Sequence, residues 1–113
     1  MRLRSDFVAA ALLRRCASEL VSAVLRRRGA AEAGAIAVKV DRLDGTATLY
    51  LPAPQTAFGE GEGARLWTRA HAPEAVASGD VEARLLKEIA FDPDLWILEI
   101  EDRAGRSFLD LAD

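Results

Sequence analysis

The sequence is poor in the residues from which most catalytic and metal sites are built. Cys16 is the only cysteine and His71 the only histidine among 113 residues. A single thiol excludes an internal disulfide and a thiolate metal cluster, and one histidine without a carboxylate at ligand spacing makes a poor metal site. No Ser-His-Asp or Cys-His set can be assembled from them. We therefore assign no catalytic residue, metal or cofactor, and we interpret Cys16 as a buried apolar residue and His71 as a surface loop residue.

Long apolar runs are also missing. The N-terminal run, Phe7 to Leu13, is far shorter than the ~20 residues of a membrane span. It continues into Arg14 and Arg15 rather than into a signal-peptide cleavage site, so we interpret it as part of a helix of the mature protein. No membrane partner is expected, and a lone cysteine without an export signal favours a cytoplasmic location. Abundant alanine and an arginine to lysine ratio of 13 to 2 are typical of a GC-rich, bacterial coding sequence.

Charge is unevenly distributed along the chain, although the net charge is only −3. Residues 1–42 carry nine Lys/Arg and four Asp/Glu, whereas residues 43–113 carry six and fourteen. A compact domain can place basic strands beside acidic ones, and it can also form a dipolar surface suited to association between copies.

The clearest structural signal is a β-hairpin over residues 34–52. Asp44-Gly45 between two alternating runs is typical of a two-residue type I′ turn. That turn pairs Val40 with Leu49 and Val38 with Leu51. Because side chains alternate between faces, one face then collects the apolar residues of both strands. These are Ile36, Val38, Val40, Ala47, Leu49 and Leu51. The other face carries Lys39, Asp41, Leu43, Thr46, Thr48 and Tyr50.

The N-terminal segment is predicted to be a helix that begins near Ser5, with Asp6 in its first turn. An apolar stripe at helical spacing consists of Ala9, Leu12, Leu13, Cys16 and Leu20. Residues 20–28 leave two alternatives open, a continued helix ending at Gly29 or a strand over 21–28. We favour a break near Glu19 followed by the strand, which residues 29–34 then turn into the hairpin.

The remaining elements follow from turn signals and periodicity. Pro52 ends the hairpin, and residues 52–64, rich in proline and glycine, are predicted to be a mobile loop. Residues 65–70 alternate weakly, as an edge strand does. A second helix is predicted from Val81 to Ala90, after Ser78-Gly79-Asp80, and a last strand from Leu95 to Asp102. Asp92-Pro93-Asp94 is turn and capping chemistry between them.

These elements predict a single α+β domain over residues 1–113. We expect an antiparallel sheet of four to five strands with two helices packed on one face. The predicted order is α-β-β-β-(β)-α-β.

Three blocks of the sequence resemble a bacterial family of small uncharacterised proteins, a domain of unknown function. The blocks are the N-terminal MRLRSDFVAAALLRRC, the central segment with RLDGTA, and the C-terminal FDPDLWILEIEDR. The resemblance implies a compact cytosolic bacterial protein and supplies no catalytic or binding residues. The family has a glycine-containing break after its first helix, where this chain has Ala17-Ser18-Glu19, so the two alternatives for residues 20–28 stay open.

Three groups of residues are candidates for function. Arg26, Arg27 and Arg28 form the densest basic run and are candidates for binding nucleic-acid phosphates. Glu99 and Glu101 share a strand face and could flank a small site, or charge a sheet edge against aggregation.

The third candidate is an apolar surface for association. Tyr50 on the hairpin, together with Leu95 and Ile97 on the outer face of the last strand, forms a patch that a second subunit can cover, unless a helix or the long loop covers it.

The sequence therefore favours a non-enzymatic module that binds a protein partner or associates with itself, for example as a homodimer. Electrostatic binding of RNA or DNA through the three arginines is the alternative, and a carboxylate-based enzyme is the third hypothesis. Partner, ligand and pathway are not encoded in any motif of the chain.

Overall fold

The computed structural model describes residues 3–54 and 65–112, and its class is α+β, as predicted. Residues 55–64 of the predicted loop lie outside the described residues. The elements are α1 (Ser5–Ser18), β1 (Ser22–Arg27), β2 (Ile36–Asp41), β3 (Thr46–Pro52), β4 (Trp67–Arg69), β5 (Val76–Ala77), α2 (Ser78–Phe91) and β6 (Trp96–Glu101). Neither of these two helices is long and apolar enough to cross a bilayer.

The strands form one mixed sheet rather than the antiparallel sheet of four to five strands that we predicted. Its order is β1-β6-β2-β3-β4, and the two-residue β5 also pairs with β3. β2 and β6 run parallel, and all other pairs are antiparallel. β6 therefore separates β1 from β2, so residues 29–34 do not form the predicted turn between two neighbouring strands. Pairing between elements distant in sequence decided this topology, and local alternation carries no information about it.

The two helices cover opposite faces of the sheet, which corrects the prediction that both pack on one face. Ala9, Leu12 and Cys16 of α1 pack on Val38 and Leu98. On the other face, Val81 and Leu85 of α2 pack on Ala37, Leu49 and Ile97. The physical reason lies in the central strands, because β2 and β6 carry apolar side chains on both faces and each face needs its own cover. We call these two surfaces the α1 face and the α2 face.

The hairpin exists, but its register is shifted by one residue from the predicted one. Val38 pairs with Tyr50 and Val40 with Thr48. The loop has three residues rather than two, because Leu43 and Gly45 take φ values of 63° and 89° and the Arg42 N–H bonds to the Thr46 carbonyl. The Asp44 carboxylate accepts bonds from the Thr46 N–H and hydroxyl, at 2.9 and 2.6 Å.

This shift changes which side chains share a face of the hairpin. Tyr50 lies with Val38 on the α1 face, and Lys39 lies with Leu49 on the α2 face. The prediction was wrong because it assumed that only one hairpin face is buried. When both faces are covered, apolar alternation no longer selects the register.

The choice between helix and strand for residues 20–28 is settled in favour of the strand. α1 ends at Ser18, and the Leu20 and Val21 N–H groups bond to the carbonyls of Ala17 and Cys16, at 3.0 and 2.9 Å. These two bonds form a Schellman motif, whose left-handed residue is usually glycine. Here Leu20 takes that conformation, with φ 60°. The chain thus makes the break after its first helix without a glycine.

The segment between β1 and β2 packs against Asp94, two residues before the last strand. Ser5 donates its hydroxyl to the Gly34 carbonyl at 2.6 Å, a long-range tether in place of the predicted helix cap. The Ala30 N–H bonds to the Asp94 carbonyl at 3.0 Å. A Cβ atom at Gly29 would overlap that carbonyl and lie 2.7 Å from the Trp96 ring. Glycine is therefore required here by the close approach of two backbone segments.

Candidate functional site

The three consecutive arginines do not form one basic surface. Arg26 bonds to both oxygens of Glu82 at 2.8 Å and to Glu99 at 3.0 Å. The Arg27 guanidinium donates to the carbonyls of Pro93 and Leu95, at 3.0 and 2.6 Å. The Arg28 guanidinium lies 5.1 Å from the centre of the Trp96 ring. The β-strand and its bulge point these neighbours in different directions, and each has its own partner within the chain.

The residues predicted to form an exposed apolar patch are all buried. Leu95 and Ile97 lie under α2, and Tyr50 lies in the core on the α1 face. The expectation of an exposed patch is therefore corrected. A helix covers the outer face of β6, which is the alternative that the sequence left open. Tyr50 left the predicted face because of the one-residue shift of the hairpin register.

Sequence reasoning missed a buried lysine on the α2 face. Lys39, assigned to the polar face of the hairpin, is only 4% exposed. Its ammonium group lies 2.6 Å from the Glu82 carboxylate and 3.8 Å from that of Glu99. Because a buried ammonium is costly without a counter-charge, these carboxylates are what allow the lysine to occupy the sheet interior. The one feature of the sequence that could have indicated its burial is its position among the apolar residues of β2.

Glu82 joins the helix to the sheet through this group of charges. It accepts hydrogen bonds from Arg26 of β1 and from Lys39 of β2, so one carboxylate connects α2 with two strands. The Arg26 hydrogen bond first, and then that of Lys39, lowers the pKa of Glu82 to about 2. We call Arg26, Lys39, Glu82 and Glu99 the charged quartet.

Acidic side chains gather beside the charged quartet. Carboxylate oxygens of Asp41, Glu99 and Glu101 lie within 4.8 Å of one another on adjacent strands. Glu99 is paired with Arg26 and Lys39, whereas Glu101 is exposed at the end of β6. The predicted Glu99 and Glu101 pair thus shares a face, and it belongs to a larger patch of mixed charge.

The β1 side of the sheet remains open. Within residues 3–54 and 65–112, β1 pairs with β6 alone. At the opposite edge, Trp67 of β4 exchanges backbone hydrogen bonds with Asp110 and Ala112, so the C-terminal segment covers that edge. An edge strand presents unpaired N–H and C=O groups that another strand can complete.

Apolar side chains project around this open edge. Leu20, just before β1, is 95% exposed, and Val24 in the middle of β1 is 53% exposed. Leu86 is 70% exposed and follows Glu82 by one helical turn, so it shares a side of α2 with the carboxylate that binds Arg26 of β1. We call β1 with Leu20, Val24 and Leu86 the β1 edge.

The lone cysteine and histidine have structural surroundings. Cys16 is fully buried in the core beneath α1, as predicted, and burial raises the pKa of its thiol. His71 was predicted to be a surface loop residue, but both of its ring nitrogens have partners in the fold. Its Nε2 accepts the Leu49 N–H at 3.0 Å and its Nδ1 lies 2.7 Å from the Pro73 carbonyl. The ring thereby supplies a bond to β3 between the short pairings of β4 and β5.

Glu82→Gln is expected to lower the free energy of unfolding by on the order of 1 kcal/mol at pH 7, after allowing for the partial exposure of Glu82. The folded-state pKa lies below the ordinary 4.5, so this stabilisation is present above pH 4.5 and is lost as the pH falls towards 2. Urea unfolding of both proteins across that range measures the difference.

Glu88→Gln is the matched control. It removes a carboxylate from the same helix, where Glu88 pairs with Arg84 at the i,i+4 spacing. Such exposed pairs contribute only about 0.3–0.5 kcal/mol. A Glu82→Gln loss no larger than that of Glu88→Gln, or one independent of pH, would contradict the role given to the charged quartet.

The comparisons with known proteins agree on one family. A family model described as "Protein of unknown function (DUF1491)" matches residues 3–110, whereas no curated protein matches the chain. A crystal structure of a DUF1491 family protein from Caulobacter crescentus CB15 is similar at 36% identity and a TM-score of 0.80, covering 100% of both chains. The solution structure of protein Atu0922 from A. tumefaciens is similar at 37% identity and a TM-score of 0.83, covering 100% of this chain and 97% of that one. The chain therefore belongs to the DUF1491 family, a family of proteins of unknown function.

Proposed function

We propose that the protein is a non-enzymatic cytosolic module that associates with a second copy of itself by antiparallel pairing of β1. The observation that carries this proposal is the open β1 edge, which bears exposed apolar side chains while the opposite sheet edge is covered. The cytosol is the compartment in which a lone buried thiol, Cys16, stays reduced. Self-association was predicted from the sequence at an outer sheet face, and the interface proposed here is the β1 edge instead.

Two-fold symmetry restricts the register of such a pair. When a two-fold axis perpendicular to the sheet relates two antiparallel strands, paired residues lie on the same face of the sheet. An even-numbered residue therefore pairs with an even-numbered one, and an odd-numbered residue with an odd-numbered one. We centre the axis at Val24, which brings the two exposed valines together on the α2 face. Ser22 then faces the partner's Arg26, and Leu20 lies next to the partner's Arg28.

Charge favours this antiparallel arrangement. The arginines occupy the C-terminal end of β1, and Ser22 at the other end is the cross-strand neighbour of Glu101. Antiparallel pairing therefore places the arginine-bearing end of each strand at the end of the other copy's β1 that neighbours the exposed Glu101. Parallel pairing would instead align the basic ends of both strands, and like charges directly opposite one another are destabilising.

The conformation of Leu20 is a second, independent support. A left-handed conformation costs a residue with a side chain roughly 1–2 kcal/mol, and Leu20 keeps it while its side chain is almost fully exposed. In the separate chain this leucine is therefore both strained and unburied. Contact with a second copy would bury this side chain, which is 95% exposed in the single chain.

Nucleic-acid binding is supported less well by the same residues. A phosphate-binding surface needs cationic groups that are free to contact the backbone of the nucleic acid. Arg26, Arg27 and Arg28 instead engage carboxylates, carbonyls and an aromatic ring of this chain.

Val24→Lys is expected to shift the protein towards the monomer, because it would place two ammonium groups opposite each other at the centre of the pair. Sedimentation velocity over a concentration series measures the shift, with the unsubstituted protein forming dimers as concentration rises. Phe91→Lys, which replaces a side chain 91% exposed at the end of α2, is the matched control and should associate normally. A monomer at every concentration, or equal effects of both substitutions, would refute the proposal.

Leu20→Gly is expected to act on stability and association in opposite directions. Glycine relieves the left-handed strain of about 1–2 kcal/mol but adds about 0.5–1 kcal/mol of unfolded-state entropy, so the monomer should gain up to about 1.5 kcal/mol. Association should weaken because the side chain is lost. Urea unfolding at low concentration and sedimentation at high concentration measure the two effects.

Leu20→Ala separates the relief of backbone strain from the loss of side-chain contacts. Alanine lacks most of the leucine side chain, but its Cβ atom leaves the left-handed conformation strained. It should weaken association without the gain in stability. If either variant associates as tightly as the unsubstituted protein, Leu20 is not part of the interface and the proposed register is wrong.

A further inference from the structure

We infer that the cavity at the β4 end of the sheet binds a small organic acid through Tyr50 and Arg69. The cavity has a volume of about 280 Å³, and Trp67, His71 and Leu111 also line it. It lies at the opposite edge of the sheet from β1 and does not depend on the proposed association.

Tyr50 and Arg69 lie side by side at this cavity. They are directly paired residues of β3 and β4, so their side chains project from the same face of the sheet. The Tyr50 ring is anchored in the core. Its hydroxyl forms no hydrogen bond with the parts of the chain that the structure describes. A phenol at a cavity wall therefore has a donor to offer.

The Arg69 guanidinium is held in place by neutral groups. Its Nε donates to the His71 carbonyl at 3.0 Å, and its Nη2 donates to the Ala72 carbonyl at 2.9 Å. Among residues 3–54 and 65–112, no carboxylate forms a salt bridge with it. Two carbonyls fix the orientation of the planar group, and within the described part of the chain its positive charge has no counter-ion.

His71 forms a wall of the cavity rather than a ligand-binding group. Both ring nitrogens are used, Nε2 as acceptor from the Leu49 N–H and Nδ1 towards the Pro73 carbonyl. Nδ1 therefore carries the ring proton, because the carbonyl can only accept. Arg69 and Tyr50 are therefore the residues that recognise the charge of the ligand. The His71 ring contributes a flat surface to the cavity wall.

These features select the class of ligand. A guanidinium and a phenol that line the same cavity match a carboxylate, which accepts several charge-assisted hydrogen bonds. Trp67, Leu111 and Ala112 add apolar wall for the body of the molecule. The volume of about 280 Å³ lies just below the ~300–1,000 Å³ of typical ligand pockets and favours a compact ligand. The ligand is thus a compact carboxylic acid with an apolar body, for which benzoate is a suitable probe.

Titration of the ¹⁵N-labelled full chain with sodium benzoate tests the site, with sodium chloride at equal ionic strength as the reference. Saturable shifts are expected at the Arg69 Nε–H and at the Trp67 indole N–H, with a Kd on the order of 1 mM for so small a ligand. Inorganic phosphate supplies charge without an apolar body and should bind more weakly.

Two substitutions make the result specific. Tyr50→Phe keeps the ring in the core and removes only the hydroxyl, so affinity should fall about tenfold while the fold is retained. Arg69→Gln should abolish binding, and Arg84→Gln, which alters an exposed arginine of α2, should leave it unchanged. Absence of saturable benzoate shifts, equal or tighter phosphate binding, or undiminished binding by Tyr50→Phe would overturn the inference.

Discussion

The parallel pairing of β6 with β2 is the constraint on which the rest of this structure depends. Residues 96–101 enter the sheet between β1 and β2, although β1 and β2 are adjacent in sequence. Val38 and Leu98 then point to one face, and Ala37 and Ile97 point to the other, and all four are buried. Because both faces of the central pair are apolar, one helix must cover each face. The opposite placement of α1 and α2 follows from that requirement.

The same arrangement explains why the two ends of the sheet differ. α2 lies over the β3 side of its face, and Glu82 connects it to β1 through Arg26 and to β2 through Lys39. The C-terminal segment covers β4, whereas in the described part of the chain β1 has a neighbour on one side only. Charged residues fill the part of the face that the helix leaves uncovered. An edge of this kind, flanked by opposite charges and carrying exposed leucine and valine, is suited to pairing with another strand.

Local patterns in the sequence predicted the elements well, because those patterns come from contacts within a few residues. The stripe of Ala9, Leu12 and Cys16 identified α1 and the buried cysteine, and the β-strands around Asp44-Gly45 were found. The hairpin register was not, since the Asp44 carboxylate stabilises a three-residue loop through its bonds to Thr46. Alternation could not correct this error in strands that are buried on both sides.

The candidate sites depended on long-range partners, and there the sequence was a poor guide. Three adjacent arginines suggested one basic surface, but a carboxylate from α2, carbonyls before β6 and an indole ring each bind one of them. Lys39 was assigned to solvent because its counter-ions, Glu82 and Glu99, are more than forty residues away in sequence. The pairing of Tyr50 with Arg69 likewise required both the hairpin register and the position of β4.

Amide hydrogen exchange of β1 as a function of protein concentration tests the central claim most directly. Antiparallel pairing of two β1 strands would protect the alternate amides of Ser22–Arg27 that point away from β6. We expect these amides to exchange rapidly in dilute protein and slowly at high concentration, while amides in β2 stay slow throughout. Rapid exchange of the outward amides at a concentration where the protein is dimeric would show that the copies meet elsewhere and would contradict the account.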